Sequence, residues 1–158
     1  MKVKIISLFL LLSMCSTSSV EDSYIEVRDN DFLNLRTIKD KEKVSIDSEL
    51  IIVNYWASWC LECIEEHELL ITLSEIEGLK DKIILVSFQD SEDNALNFLN
   101  KYGYGEITYV MDQNSKFSIN SGVFGVPETH IIKNNKIVKK YIGPLNFKDF
   151  QEIIDLYS

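Results

Sequence analysis

Proline and glycine are scarce, at two and six residues in a chain of 158, and no low-complexity tract is present. No repeat with a period of roughly 20 to 50 residues is found either, so disordered and solenoid architectures have little support. Clustered basic residues are also missing. With a net charge of −9 the chain offers no basic surface for phosphate, which argues against a nucleic-acid partner. The lysines between 133 and 140 alternate with apolar residues, as on the solvated face of a strand. Cysteine is limited to Cys15, Cys60 and Cys63. A small exported scaffold stapled by disulfides would carry several bridges, so a single close pair fits redox work better. Histidine is limited to His67 and His130. A closed zinc shell needs four ligands, and these two would have to join Cys60 and Cys63 across a long stretch of chain. No metal and no cofactor are therefore expected. What is abundant is apolar surface, 46% of residues, enough for one core in one domain.

The first 19 residues contain no acid. They begin Met-Lys-Val-Lys, continue with the apolar run from Ile5 to Met14, and end in small polar residues from Ser16 to Ser19. This is signal-peptide architecture. The run is short against the roughly 20 residues that span a bilayer, so cleavage is favoured over a permanent anchor. Retention as an anchor and lipid modification at Cys15 stay open. The expected organisation is a signal peptide or anchor over residues 1–19 and one domain over residues 20–158.

From about residue 24, short β-type runs alternate with helical ones, which predicts an α/β domain built on a mixed sheet. Residues 24 to 48 predict a short strand or hairpin added before the core. Ile51 to Tyr55 is a nearly continuous apolar run, as expected for a strand covered on both faces. Lys82 to Phe88 and Ile107 to Met111 read as its companions in the middle of the sheet. A helix is predicted from about Cys60 to Ile76, and a second after Ser91 as N-cap, with Ala95, Phe98, Leu99 and Tyr102 as its core stripe. A hairpin joins His130–Lys133 to Lys136–Ile142 through Asn134-Asn135, whose residues tolerate positive φ. A last helix follows Asn146 and turns Phe147, Phe150, Ile153, Ile154 and Tyr157 toward the sheet.

The segment Asn54-Tyr-Trp-Ala-Ser-Trp-Cys-Leu-Glu-Cys63 runs off a buried strand straight into a helix. Cys60 then sits at a helix N-terminus, where unpaired N–H groups and the helix dipole stabilise a thiolate, the nucleophilic form in disulfide exchange. Cys63 follows on the next turn, within disulfide reach, and can resolve a mixed disulfide. Spaced at about 100° per residue, Glu65, Glu68, Thr72 and Glu75 share a polar arc, whereas Glu66 falls with Cys63, Leu70 and Leu73 on the apolar side. A carboxyl there is desolvated, its pKa is raised, and it can exchange a proton with Cys63. Glu62 between the cysteines disfavours a thiolate beside it, which fits an electron donor better than a strong oxidant. His67 reads equally as a satisfied buried histidine and as a proton carrier. Far downstream, Gly122-Val-Phe-Gly-Val-Pro-Glu-Thr129 puts Pro127 just before a strand, where it can hold a cis bond and leave the Val126 backbone free to pair with an extended substrate.

Trp-Ala-Ser-Trp-Cys-x-x-Cys-x-x-Glu-His followed by Gly-Val-Phe-Gly-Val-Pro-Glu-Thr resembles the membrane-tethered periplasmic thioredoxin-like proteins of cytochrome c maturation, the CcmG or DsbE type within the broader TlpA and ResA group. The likeness runs from about residue 45 onward. It implies a thioredoxin fold, a cis Pro127 opposite the cysteines, and an acidic active site that includes Glu66 and Glu128. It implies Cys60, Cys63 and Glu66 as catalytic residues, and Trp59, Phe124, Val126, Pro127 and Glu128 as the substrate-binding surface. It further implies a reductant that takes electrons from a membrane thiol transporter of the DsbD or CcdA kind and keeps the haem-binding cysteines of apocytochrome c reduced. The chain departs from the family in carrying Leu61-Glu62 where a proline usually stands inside the motif. Two other readings use the same cysteines: a general periplasmic thiol reductase with another client, and a non-catalytic metal-binding module.

Overall fold

The computed structural model describes residues 35–44 and 49–157. The expected leader, with Cys15, lies outside the described residues. Among those residues no helix is long and apolar enough to cross a membrane. One six-stranded mixed sheet organises the described residues, with strand order β1-β4-β3-β2-β5-β6. Its strands are β1 (Arg36–Thr37), β2 (Leu50–Trp56), β3 (Ile83–Ser87), β4 (Thr108–Met111), β5 (Glu128–Lys133) and β6 (Lys136–Ile142). Four helices pack on it: α1 (Leu61–Ser74), α2 (Glu92–Tyr102), α3 (Lys116–Asn120) and α4 (Phe147–Tyr157).

β2 is parallel to β3 and antiparallel to β5, which places it second from neither edge but deep inside the sheet. Its apolar run is explained by cover on both faces. Ile52 and Trp56 join Leu70, Leu73, Phe98, Leu99 and Ile153 from α1, α2 and α4 in one core. Ile51, Val53 and Tyr55 join Phe117 of α3 with Val123 and Ile137 in the other. Register carries the same alternation into β5: Asn54 pairs with Thr129 and Tyr55 with Glu128, so successive residues of the two strands look to opposite cores.

Local chemistry fixes the ends of these elements. Ser91 Oγ accepts the Asn94 N–H at the start of α2, and Gly103, at φ 96°, ends it. Asn134 and Asn135 take φ of 49° and 61° in the β5–β6 turn, the left-handed pair that a two-residue hairpin needs. Asn146 Oδ1 accepts the N–H groups of Lys148 and Asp149 to open α4. The predicted stripe of α4 holds for Ile153, which is fully buried, but Phe147 is 77% exposed and stacks on Phe150 instead of entering the core. Tyr102 likewise sits at the rim of the α2 stripe, 36% exposed. The short strand expected before the core is β1, which pairs antiparallel with β4 at the sheet edge.

One element was absent from the sequence reading. After β4, Asn114 and Ser115 adopt φ of 63° and 51°, and α3 follows. Buried Asp112 organises this turn: its carboxylate accepts the Phe117 N–H at 3.0 Å, the Ser118 N–H at 2.7 Å and the Ser118 hydroxyl at 2.6 Å. Alanine at Asp112 leaves those donors unpaired, and the unfolding free energy in urea is expected to fall by about 2 to 4 kcal/mol with an unchanged m-value.

Candidate active site

At the C-terminal end of β2 the chain leaves the sheet through Ala57 and Ser58. Ser58 is pinned to the β3–α2 loop: its N–H donates to Asp90 Oδ2 at 2.6 Å and its hydroxyl to Asp90 Oδ1 at 3.1 Å. Trp59 donates its indole N–H to Gln89 O at 3.1 Å while its ring stays 59% exposed. These bonds hold the turn that delivers Cys60 to the N-cap of α1. There Cys60 Sγ accepts the Cys63 N–H at 3.1 Å, so the sulfur occupies the position where a helix N-terminus favours negative charge. Cys60 and Cys63 are joined in a disulfide with Cα atoms 5.2 Å apart. Both residues are buried to the same degree, so accessibility does not separate them; the capping bond at Cys60 does.

Across from Cys60 lies the loop before β5. The Val126–Pro127 bond is cis, and Val126 O stands 3.7 Å from Cys60 Sγ. The proline loop and the cysteines, far apart in sequence, therefore meet. Phe124 on the same loop is 85% exposed, and Leu61, beside Cys60, is 64% exposed.

Glu66 is buried under this end of α1, on the face of Cys63, Leu70 and Leu73. Each of its oxygens accepts one N–H: Oε1 from Asn54 Nδ2 at 2.7 Å and Oε2 from the Leu145 backbone at 2.8 Å. Desolvation raises its pKa to about 7, and the two donated hydrogen bonds hold it from rising further. Asn54 is the partner that sequence reasoning missed. A lone amide within an apolar strand buried on both faces was the available signal, because such a group must find partners in the core. It does so with Glu66 and with Thr129 Oγ1, at 2.9 Å. The Leu145 N–H had no sequence signal at all, since a backbone donor in a loop is invisible until the fold places it.

His67 is turned the other way. Its Nε2 lies 3.0 Å from Gly103 O, its ring packs edge-on against Phe98, and burial lowers its pKa. It is a satisfied core histidine joining α1 to the end of α2. Glu128 does not meet Glu66. Because it pairs with Tyr55 and not with Asn54, strand alternation sends it to the opposite core, where it is buried, with Oε1 2.5 Å from His130 Nε2 and 3.7 Å from Lys140 Nζ. The acidic cluster expected from Glu66 and Glu128 together is thus two separate sites on two faces. The four candidate zinc ligands do not converge either, His67 facing Gly103 and His130 facing Glu128; among the described residues no three His, Cys, Asp or Glu side chains gather around a common point.

Relatives of known kind bear on this arrangement. The thiol:disulfide interchange protein DsbE of Vibrio cholerae is 33% identical over 107 residues, covering 67% of this chain and 56% of that protein. The thiol:disulfide interchange protein CycY of Rhizobium leguminosarum is 37% identical over 101 residues, covering 63% and 53%. The chain thus matches little more than half the length of these relatives. Among solved structures, that of MTB dsbF in its mixed oxidized and reduced forms superposes with a TM-score of 0.68 at 18% identity, covering 84% of this chain and 99% of the other. A thioredoxin-like protein from Aeropyrum pernix gives 0.64 at 19% identity, covering 80% and 90%. The architecture is the thioredoxin-like fold. The Redoxin family model matches residues 30–154, and the chain belongs to that family.

Proposed function

We propose that the protein is a thiol:disulfide oxidoreductase that works as a reductant of protein disulfides. The observation that carries this reading is the Cys60–Cys63 disulfide at the N-cap of α1, set against a cis-proline loop and above a buried carboxyl. In the reduced protein the Cys60 thiolate attacks one sulfur of a substrate disulfide. That S–S bond breaks, and the leaving thiolate takes a proton from solvent. Cys63 then gives its proton to the Glu66 carboxylate, attacks Cys60 Sγ, and closes the internal disulfide as the substrate's second thiolate departs. The substrate gains two electrons and the protein loses two, so each cycle needs an external dithiol to restore Cys60 and Cys63. Glu66 near neutrality is matched to that exchange, since a carboxyl of ordinary pKa would hold a proton too weakly.

The resemblance carried by the two motifs extends the proposal to a client and a place. The client is apocytochrome c or its maturation proteins, the electron source a membrane thiol transporter, and the compartment the periplasm, with tethering through the N-terminal segment. The relatives named thiol:disulfide interchange proteins support the reaction class. The test is to express a Cys63→Ala variant in the native host and identify what is captured. Mixed disulfides through Cys60 with proteins bearing Cys-x-x-Cys-His segments are expected; capture of unrelated clients alone would replace this client with that of a general thiol reductase.

Trp59, Phe124, Pro127 and the Val126 backbone form the substrate surface in this reading, while Glu128 beside them is turned to His130 and Lys140. Phe124→Ser is expected to raise KM for a protein disulfide by about tenfold, the loss of roughly 1.4 kcal/mol of apolar contact, while exchange with a small disulfide stays unchanged. Steady-state kinetics on the two substrates side by side checks it.

A further inference from the structure

Asn54 takes no part in the steps above, yet its side chain donates a hydrogen bond to the proposed proton carrier from within the sheet. It is fully buried on β2. Its Nδ2 donates both hydrogens, one to Glu66 Oε1 at 2.7 Å and one to Thr129 Oγ1 at 2.9 Å. Its Oδ1 is buried and has no hydrogen-bond partner among the described residues. This is an asymmetric use of a symmetric group, because an amide carries two donor hydrogens at one end and two acceptor lone pairs at the other.

The orientation seen suits a Glu66 carboxylate, which can only accept. Once Glu66 takes a proton on Oε1, that oxygen becomes a donor and would face an N–H, a contact with two hydrogens and no acceptor. Rotating the amide by about 180° about its terminal bond removes the conflict. Oδ1 then accepts from Glu66 Oε1–H and from the Thr129 hydroxyl, which can turn from acceptor to donor. Leu145 N–H donates to Oε2 in both states. In either orientation one end of the amide is left without a partner, so neither charge state of Glu66 has every polar group around it paired.

We propose that Asn54 is a positioning residue that reverses its amide, with Thr129 reversing its hydroxyl, each time Glu66 exchanges a proton with Cys63. The proposal rests on the proton-carrier reading of Glu66 given above. The groups that face Glu66 leave this exchange uncluttered. From β2 and β5 they are Asn54 and Thr129, and from the β6–α4 loop the Leu145 backbone. The titratable side chains of the same core are Cys60 and Cys63, then Tyr104 and Tyr109 at and before β4, Tyr141 on β6 and Tyr157 on α4, with His67 on its own helix turned to Gly103. Burial keeps Tyr109, Tyr141 and Tyr157 protonated and His67 neutral at neutral pH. On β6, Lys139 is paired with Glu152 and Lys140 with Glu128.

The test is an NMR pH titration of the intact disulfide form, following the Glu66 carboxyl carbon and the Asn54 side-chain amide together. The amide nitrogen and its two protons are expected to shift with the same midpoint as the Glu66 carboxyl. A Glu66 titration with an unmoved Asn54 amide would overturn the reversal and leave the proton-carrier reading standing. A Glu66 carboxyl that does not titrate between about pH 5 and 9 would overturn both. Asn54→Ala supplies an independent readout: a reversing amide partners both charge states of Glu66, so its loss is expected to leave the Glu66 inflection in the pH profile of disulfide exchange within about half a unit of the parent's. A rise of about one unit or more, as for an amide that only donates, overturns the proposal.

Discussion

Cys60→Ala is expected to remove disulfide exchange by at least about 10³-fold, and Cys63→Ala to stop the cycle at the mixed disulfide. The two outcomes differ because the cysteines differ in setting and not in depth. Cys60 Sγ caps α1, taking the Cys63 N–H, and faces the cis-proline loop through Val126 O. Cys63 has its attack already aimed, since Cys60 Sγ lies within bonding distance of it. Without Cys60 no sulfur stands where substrate backbone can lie along Val126. Without Cys63 the first step proceeds and the product persists. Stopped-flow exchange with a small disulfide gives the rate loss, and intact-mass measurement gives the trapped adduct. A mixed disulfide that persists on Cys63 in Cys60→Ala, with none in Cys63→Ala, would reverse the assignment of roles.

Glu66→Gln is expected to act on stability and on rate, each with a pH signature. Burial raises the carboxyl from 4.5 to about 7 in the folded chain. Between those values the folded protein holds a proton that the unfolded chain has released, so stability falls as pH rises through this window. The cost is absent below the unfolded value and complete above about pH 7. Glutamine cannot ionise and escapes it. The stability difference between Glu66→Gln and the parent is therefore expected to be larger at about pH 8 than at about pH 4, by roughly 3 kcal/mol in favour of the variant. Taking the difference between two pH values cancels whatever glutamine does to packing. Urea unfolding of the disulfide form measures it, and a pH-independent difference would remove the raised carboxyl. The same variant loses the acceptor for the Cys63 proton, so resolution of the mixed disulfide is expected to slow by about 10²-fold and to lose its inflection near neutrality. A more stable but slower protein is the combined signature of a buried carboxyl kept for chemistry.

Much of this site was legible before the structure because its parts follow from periodicity. The apolar runs place β2, β3 and β4; Asn134-Asn135 places the hairpin; Ser91 starts α2; the wheel of α1 separates Glu66 from Glu65 and Glu68. These are local patterns, each spanning a few turns or a few pairs of residues. What stayed hidden depends on register. Whether Glu128 or Thr129 looks toward the cysteines is settled by the β2–β5 pairing, and a one-residue slip would exchange them. Asn54 was absorbed into an apolar run, although a single amide there is the kind of exception that a strand covered on both faces cannot hide without partners. The Asp112 turn and α3 were missed because a helix of five residues is too short for an amphipathic period to appear. Phe147 kept helical spacing but lies in the first turn of α4, outside the buried stripe, where spacing alone does not guarantee cover.

In the proposed cycle Cys60 is the attacking thiol, activated by its place at the start of α1. Limiting iodoacetamide applied to the fully reduced protein over a range of pH, with each cysteine read by peptide mass spectrometry, tests it directly. Cys60 is expected to be modified first, with a rate that rises at a pH below the ordinary thiol value of about 8.5, and Cys63 only afterward. Modification of Cys63 first, or of both at one rate and one ordinary pKa, would contradict it.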